Sequence, residues 1–495
     1  MSNSALPGRH HEPSFTFVDL SNPQNANHPT TRKLIRQQAM RQVGLSRRKP
    51  RKKRGVVEVP IDQSALASMF SQAGPPQDTE DEPGTSPYQL LGGGEIDPFL
   101  PYPIPLDNST RELVANIFRN DGGEGILRAH RDDWFAVGLS DPLPFHLVLS
   151  NAALGFDYLR TRNQDIADVP WKGQRALKHF VIALRGMRDR LNEEPFRISD
   201  AAIGAVVGFM CHDIFGDRVE HWLQHREGII TMISLRGGID TINSNKQLRV
   251  SVSWVDIRGA YVYDVRCQFP MPPSAWGCAL EDCAGLLHRP SSDNIILKAL
   301  RRRGAQLTTF TDILADLIDC SVATSMLLGK HGPAHWTSRT DGGGWTQNII
   351  HRLLSYRPLI EAAENEYLIP NAQEACRLGA LLYIAPIWRK FGAAPVVTTV
   401  LVRKLLAQIL VAPMDWGELG LLRAWVLAVG ALEAENGHVF RKFTEMLAQH
   451  LIERHVLSWE QIFPSLEAVI WMKESLAGAE GRLSEAINHL LQHDL

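Results

Sequence analysis

The chain has 495 residues, of which 44% are hydrophobic and 21% charged, and its net charge is −2 at neutral pH. That length is expected to form two or three domains, or one large helical unit, with enough apolar material for a sizeable core. Six scattered cysteines, a polar N-terminus and no run of about 18 apolar residues argue against a disulfide scaffold, a secretory leader and a membrane span.

The near-neutral total hides an asymmetry. Residues 1–54 hold twelve Lys and Arg against two acids, whereas the remaining residues hold 40 against 52. A basic arm on an acidic body is a pattern of nuclear and nucleic-acid-associated proteins.

Residues 1–30 carry one short apolar patch, Phe15-Thr16-Phe17-Val18, too small to offset backbone ordering, so disorder is expected. Thr31 to Val43 can form a helix with Leu34, Ile35, Ala39 and Val43 on one side and Arg32, Lys33, Arg36 and Arg41 around it. The run Arg47-Arg48-Lys49-Pro50-Arg51-Lys52-Lys53-Arg54 has seven basic residues in eight, and repulsion together with Pro50 keeps it extended. Residues 55–105 read as a disordered linker: 13 of the 33 residues from Ala73 to Pro105 are Pro or Gly, interspersed with Asp78, Glu80, Asp81 and Glu82. The folded body is therefore assigned to 106–495.

Helical periodicity dominates that body. It predicts helices over 111–118, 144–159, 171–191, 200–215, 218–235, 246–265, 293–302 and 306–328. After a loop from Gly329 to Gly344, it predicts 346–366, 372–391, 396–412, 417–435, 439–454, 459–477 and 483–492. Strand patterns are nearly absent. The expected class is all-α, a large multi-helix array of packed helix pairs behind a disordered basic arm. At the centre are three helices, each read as apolar on one face. The first is almost continuously apolar, with Ser199 or Asp200 as its cap; the second ends at Gly237-Gly238; the third stops before Phe269-Pro270.

The central block also carries a family resemblance. His225, Gly228 and Met232, then Arg236-Gly237-Gly238, Trp254-x-Asp256 and Phe269-Pro270 resemble the regulatory domain of fungal-specific transcription-factor-like proteins, the helical middle homology region. The likeness extends upstream through Asp133-Trp134-Phe135, Leu147 to Tyr158 and Trp171 to Leu191. The Phe17-Val18-Asp19 start, Ile35-Arg36-x-x-Ala39-Met40-Arg41 and the basic run look like an arm that a subset of that family carries in place of a zinc binuclear cluster. The resemblance implies a regulatory domain that senses a small molecule or binds co-regulator proteins, as a dimer.

The basic run is the sharpest chemical signal. Arg47, Arg48, Lys49, Arg51, Lys52, Lys53 and Arg54 suit the acidic groove of a nuclear import receptor or a phosphate backbone, with Arg32, Lys33, Arg36 and Arg41 as further arm contacts. Contacts of this kind are salt-sensitive and blind to base sequence. No metal site is expected. No cysteine precedes Cys211, no C-x2-C pair exists, and Cys278 and Cys283 near His288 lack zinc-ligand spacing.

No catalytic residue is assigned and no cofactor is expected. Nucleophile-elbow, zinc-protease, dinucleotide and phosphate-loop motifs are all missing, and Gly92-Gly93-Gly94 and Gly342-Gly343-Gly344 lack the flanking strand and Lys-Ser/Thr. Cys211-His212-Asp213 cannot converge on one substrate, since helical neighbours point in different directions. His225 is expected to cap a helix or bond across helices, and Asp256 to pair with a base such as Arg236 or Arg258. The tryptophans are expected to anchor packing, Trp336 and Trp345 in the loop being the better placed to line a pocket or meet a partner. The resulting expectation is a nuclear, non-enzymatic, transcription-regulator-like protein with zinc-independent DNA contact through its arm and no membrane partner. The alternative is a helical interaction scaffold outside transcription, and an enzyme is the weakest reading.

Overall fold

In the computed structural model of this chain, the described residues are 102–118, 131–160, 173–272, 290–303, 307–331, 343–357, 368–390, 396–411, 414 and 416–493. Among them are sixteen α-helices and no strand, which agrees with the all-α expectation. The first seven are α1 (Asn108–Phe118), α2 (Arg131–Leu139), α3 (Pro142–Arg160), α4 (Gln174–Arg190), α5 (Asp200–Phe215), α6 (Val219–Arg236) and α7 (Lys246–Tyr263). The next nine are α8 (Ile295–Arg302), α9 (Thr308–His331), α10 (Gly343–Ser355), α11 (Leu368–Lys390), α12 (Thr399–Val411), α13 (Gly420–Leu432), α14 (Gly437–Ile452), α15 (Trp459–Val469) and α16 (Lys473–His493). The arm 31–54, nearly all of the linker, Cys278, Cys283, His288 and Trp336 lie outside the described residues.

Two groups of helices form. In the first, α3 packs on α1, α2, α4 and α5, and α5 packs on α6. In the second, α11 packs on α10, α12 and α13, and α13 packs on α14, α15 and α16. Helix α7 touches both, lying on α2 and α5 on one side and on α10 and α12 on the other.

The α5–α6 hairpin shows why these residues turn where they do. Ser199 Oγ accepts from the Ala202 amide at 3.2 Å and starts α5, so of the two caps considered Ser199 is the one used. From Ala202 to Phe215 every residue of α5 is buried, in keeping with its almost continuously apolar sequence; His212 and Asp213 are the polar exceptions. The second helix ends on Gly237 at φ +109°, where the Gly238 amide reaches back to the Ile233 carbonyl at 2.9 Å. A side chain at that φ would be strained, so glycine closes the helix.

Four sequence expectations need correction. Helix α2 has no amphipathic stripe, because Trp134, Phe135 and Val137 bury different sides of a short element; periodicity alone therefore passed it over. The Gly329-to-Gly344 loop is narrower than expected, since α9 continues to His331 and α10 begins at Gly343. Trp345 is thus a helical residue and not a loop residue. At the C-terminal end, the predicted helix 459–477 breaks at Ile470, which is extended (φ −172°, ψ 116°) and whose carbonyl accepts the Trp425 indole N–H at 2.8 Å. The break moves the following helix forward, so α16 runs unbroken through Gly478 and Gly481.

The fourth correction concerns α7. It is not apolar on one face and wet on the other: every residue from Leu248 to Tyr263 is buried, Arg249, Asp256 and Arg258 included. Its close fit to α6 depends on Gly259. A Cβ built there would stand 2.0 Å from Cε2 of Trp222, itself fully buried. Gly228, one of the residues carrying the family resemblance, has no atom within 4 Å of such a Cβ.

The two glycines therefore respond oppositely to the same change. Gly259→Ala is expected to displace Trp222 and cost about 2–3 kcal/mol. Gly228→Ala is expected to gain roughly 0.5–1 kcal/mol through helix propensity. Urea unfolding followed by tryptophan fluorescence measures both, and equal effects would refute the packing argument.

Candidate functional site

The densest polar construction surrounds α7 and the turn that follows it. Asp256, almost fully buried, receives Arg226 Nε from α6 on Oδ1 at 3.1 Å. Its other oxygen accepts the amides of Gln268 at 2.6 Å and Phe269 at 3.0 Å. Arg226 also donates to the Arg266 carbonyl, and Arg249 donates to the Pro270 carbonyl at 2.6 Å. The segment after α7 is thereby folded back and held along the helix it has just left. Burial pushes the Asp256 carboxyl up from its ordinary range, opposed by Arg226 and the two amides.

This arrangement corrects the sequence expectation for Asp256. Its partner is Arg226, not Arg236 or Arg258. Arg236 instead crosses to Asp200 and donates to the Ile198 carbonyl at 3.3 Å, while Asn245 holds the second oxygen of Asp200 at 2.8 Å. Arg258 lies between aromatic rings, its guanidinium carbon 4.9 Å from the Trp388 ring centre and 6.0 Å from that of Trp254. Burial lowers its pKa to about 10, which leaves it charged at neutral pH.

The other motif residues fall into structural positions. His225 Nδ1 donates to Asp213 Oδ2 at 2.7 Å and so bonds across helices α6 and α5, as expected. Gly237 and Gly238 close α6, Trp254 faces Arg258, and Pro270 offers its carbonyl to Arg249. The seven basic residues from Arg47 to Arg54, and Arg32, Lys33, Arg36 and Arg41, lie outside the described residues. Cys211, His212 and Asp213 diverge. Burial pushes the Cys211 thiol up to about 12, His212 stacks on Phe180 at 4.2 Å, and Asp213 turns to His225. A thiol held protonated in this way is a poor nucleophile and a poor metal ligand. Among the described residues no three His, Cys, Asp or Glu side chains are grouped to hold a metal ion.

Sequence reading missed the second half of the construction. Asp264, in the left-handed region at φ 50°, ends α7 and meets Arg377 of α11 at 2.9 Å and Lys404 of α12 at 2.8 Å. Arg357, just past α10, lies 3.5 Å from the same carboxylate. Arg377 is fully buried and also holds Glu374 at 2.6 Å. Tyr261 Oη donates to the Leu381 carbonyl at 2.9 Å, and His351 Nε2 lies 3.0 Å from the Phe269 carbonyl. Chemically this junction binds helices to one another. No spacing in the sequence could have found it, since its members lie up to 140 residues apart.

A histidine set forms a second buried feature. His146 and His179 meet Nδ1 to Nδ1 at 3.0 Å, so one ring donates while the other accepts, which requires at least one neutral ring. Burial lowers His179 to about 4 and His212 to about 3, and it lowers His146 and His450 as well.

Comparison with known proteins gives one short likeness. Over 70 residues, 14% of this chain, it is 31% identical to a Leptosphaeria maculans protein named phomenoic acid biosynthesis cluster-specific transcriptional regulator. The matched stretch takes in 13% of that regulator's length. No family model matches the chain, and no solved structure matches it. No helix among the described residues is long and apolar enough to cross a membrane.

Two outcomes follow from this geometry. Arg226→Met, which strands a buried carboxylate, is expected to cost about 3–5 kcal/mol. Asp256→Ala also strands two amides, and the double variant should lose clearly less than the sum of the two singles in a double-mutant cycle. Additive losses would show that the pair is not coupled. The histidines contribute to acid sensitivity. Their folded pKa values lie below the unfolded value near 6.5, so the unfolded chain binds more protons between about pH 6.5 and 3. Stability is therefore full above that window and falls as pH drops through it, which a series of denaturant midpoints from pH 7 to about 3 will show.

Proposed function

We propose that this chain is a nuclear regulator of transcription. Its helical body serves as a regulatory and interaction module, and its basic arm carries it into the nucleus and touches DNA without zinc. The observation that carries this reading is the 70-residue likeness to a fungal transcriptional regulator, found in a chain whose first 54 residues hold twelve Lys and Arg against two acids. The middle homology resemblance of His225, Gly228, Arg236, Gly237, Gly238, Trp254, Asp256 and Pro270 supports it. So does the use of His225, Arg236, Gly237, Gly238, Asp256 and Pro270 to close and pin helices.

In this reading the arm supplies non-specific attraction. Seven cations within eight residues contact phosphates without reading bases. Selection of promoters then comes from proteins that the body binds, and co-regulators and an import receptor are the partners it calls for.

The test separates arm from body. A tagged full chain is compared with one in which Arg47, Arg48, Lys49, Arg51, Lys52, Lys53 and Arg54 are all replaced by Gln. The parent is expected in the nucleus and on chromatin, and the variant in the cytoplasm. Purified parent should lose roughly a thousandfold in DNA affinity between about 50 and 200 mM salt, while the variant, which keeps Arg32, Lys33, Arg36 and Arg41, shows a much shallower salt response. Unchanged location and unchanged DNA affinity in the variant would overturn the proposal.

A further inference from the structure

Helix α4 is an outer helix, packed on α3 and α5 through Ala176, His179, Ala183 and Met187. Beside that buried seam runs a second apolar line that nothing in the described body covers. Leu177, Leu184 and Leu191 are 50%, 49% and 41% exposed, one heptad apart, with Val181 between the first two. Residues seven apart lie on one line of a helix, so these side chains form a straight stripe about 20 Å long. Single exposed leucines are ordinary; a stripe in heptad register is the pattern of a helix that meets another helix.

The charge around the stripe says what kind of helix. Residues 174–190 carry Arg175, Lys178, Arg185, Arg188 and Arg190 against one acid, Asp189, on a body that is otherwise acidic. Three of these cations are engaged within the fold: Arg175 with Glu112, Lys178 with Asp107 and Arg190 with Asp141. Arg185 and Arg188 form no ion pair with a described residue; Arg188, four residues after Leu184 and three before Leu191, lies within the leucine line, and Arg185 lies beside it. A second copy of this chain meeting α4 face to face would set these cations against one another, and like charges across a helix seam disfavour that pairing.

We infer that the exposed face of α4 is a docking surface for an acidic amphipathic helix of another protein. The leucines receive its apolar side, and Arg185 and Arg188 pair with the carboxylates beside it. This gives the interaction-module reading a location and a partner chemistry, and it rests on that reading only for the cellular role of the partner.

The purified full chain is titrated with a fluorescent synthetic helix bearing Leu at alternating three- and four-residue spacing and Glu on both flanks. Two control peptides are used, one with Lys in place of Glu and one with the acidic composition in scrambled order. The acidic amphipathic peptide alone is expected to raise anisotropy. Its affinity should fall about tenfold or more, some 1.4 kcal/mol, in Leu177→Ser/Leu184→Ser and in Arg185→Glu/Arg188→Glu. The charge-reversed variant should take up the Lys peptide instead, a gain that a merely misfolded protein would not show. Equal binding of the scrambled peptide, or no effect of either double variant, overturns the inference. A parent dimer in sedimentation that Leu184→Glu turns into a monomer also overturns it, by assigning the face to a second copy. Chromatin occupancy of the parent is measured separately, so loss of peptide binding with occupancy intact rejects this surface and leaves the nuclear reading standing.

Discussion

Three charged side chains buried on one helix set the terms for the rest of the molecule. A charge is taken out of water only where partners replace the solvent, since the uncompensated cost is several kcal/mol per ion. Helix α7 meets that condition three times. Arg249 is held by Ser253 and the Pro270 carbonyl, Asp256 by Arg226 and two amides, and Arg258 by the faces of Trp254 and Trp388. Each solution draws in a different element: the chain following α7, the preceding helix α6, and α11 from the second group. The polar groups thus dictate where the surrounding helices stand, whereas the apolar residues of α5 would accept many neighbours.

Much of the architecture is legible in the sequence, and the reason is local. The boundaries of α5 match residue for residue, because Ser199 caps it and the apolar run ends where Gly216 begins the turn. Gly237 closes α6 for a reason visible in its side chain alone. Helix α2, the break at Ile470 and the continuity of α16 were not legible, because each is decided by a distant contact. The Trp425 indole fixes the carbonyl at the break, and no propensity at Ile470 foretells it.

The same division runs through the site residues. His225 was readable as a cross-helix bond, since a half-buried imidazole needs a polar partner and Asp213 lies on the preceding helix. The partner of Asp256 was not. Five arginines lie between positions 226 and 266, and choosing among them requires knowing how α6 and α7 face each other. Asp264 gave no signal at all. Its role arises because the chain returns to it from Arg357, Arg377 and Lys404, a convergence that only the folded topology creates.

The burial of α7 from Leu248 onward has a consequence for how this chain can vary over time. An outer helix such as α4 has positions that answer to water, and these can drift while the fold is kept. Between Leu248 and Tyr263 no such freedom exists, because each residue is met by a neighbour whichever way it points. Sixteen consecutive codons are then constrained from two independent directions, and an amino-acid exchange in them must be matched on both sides at once.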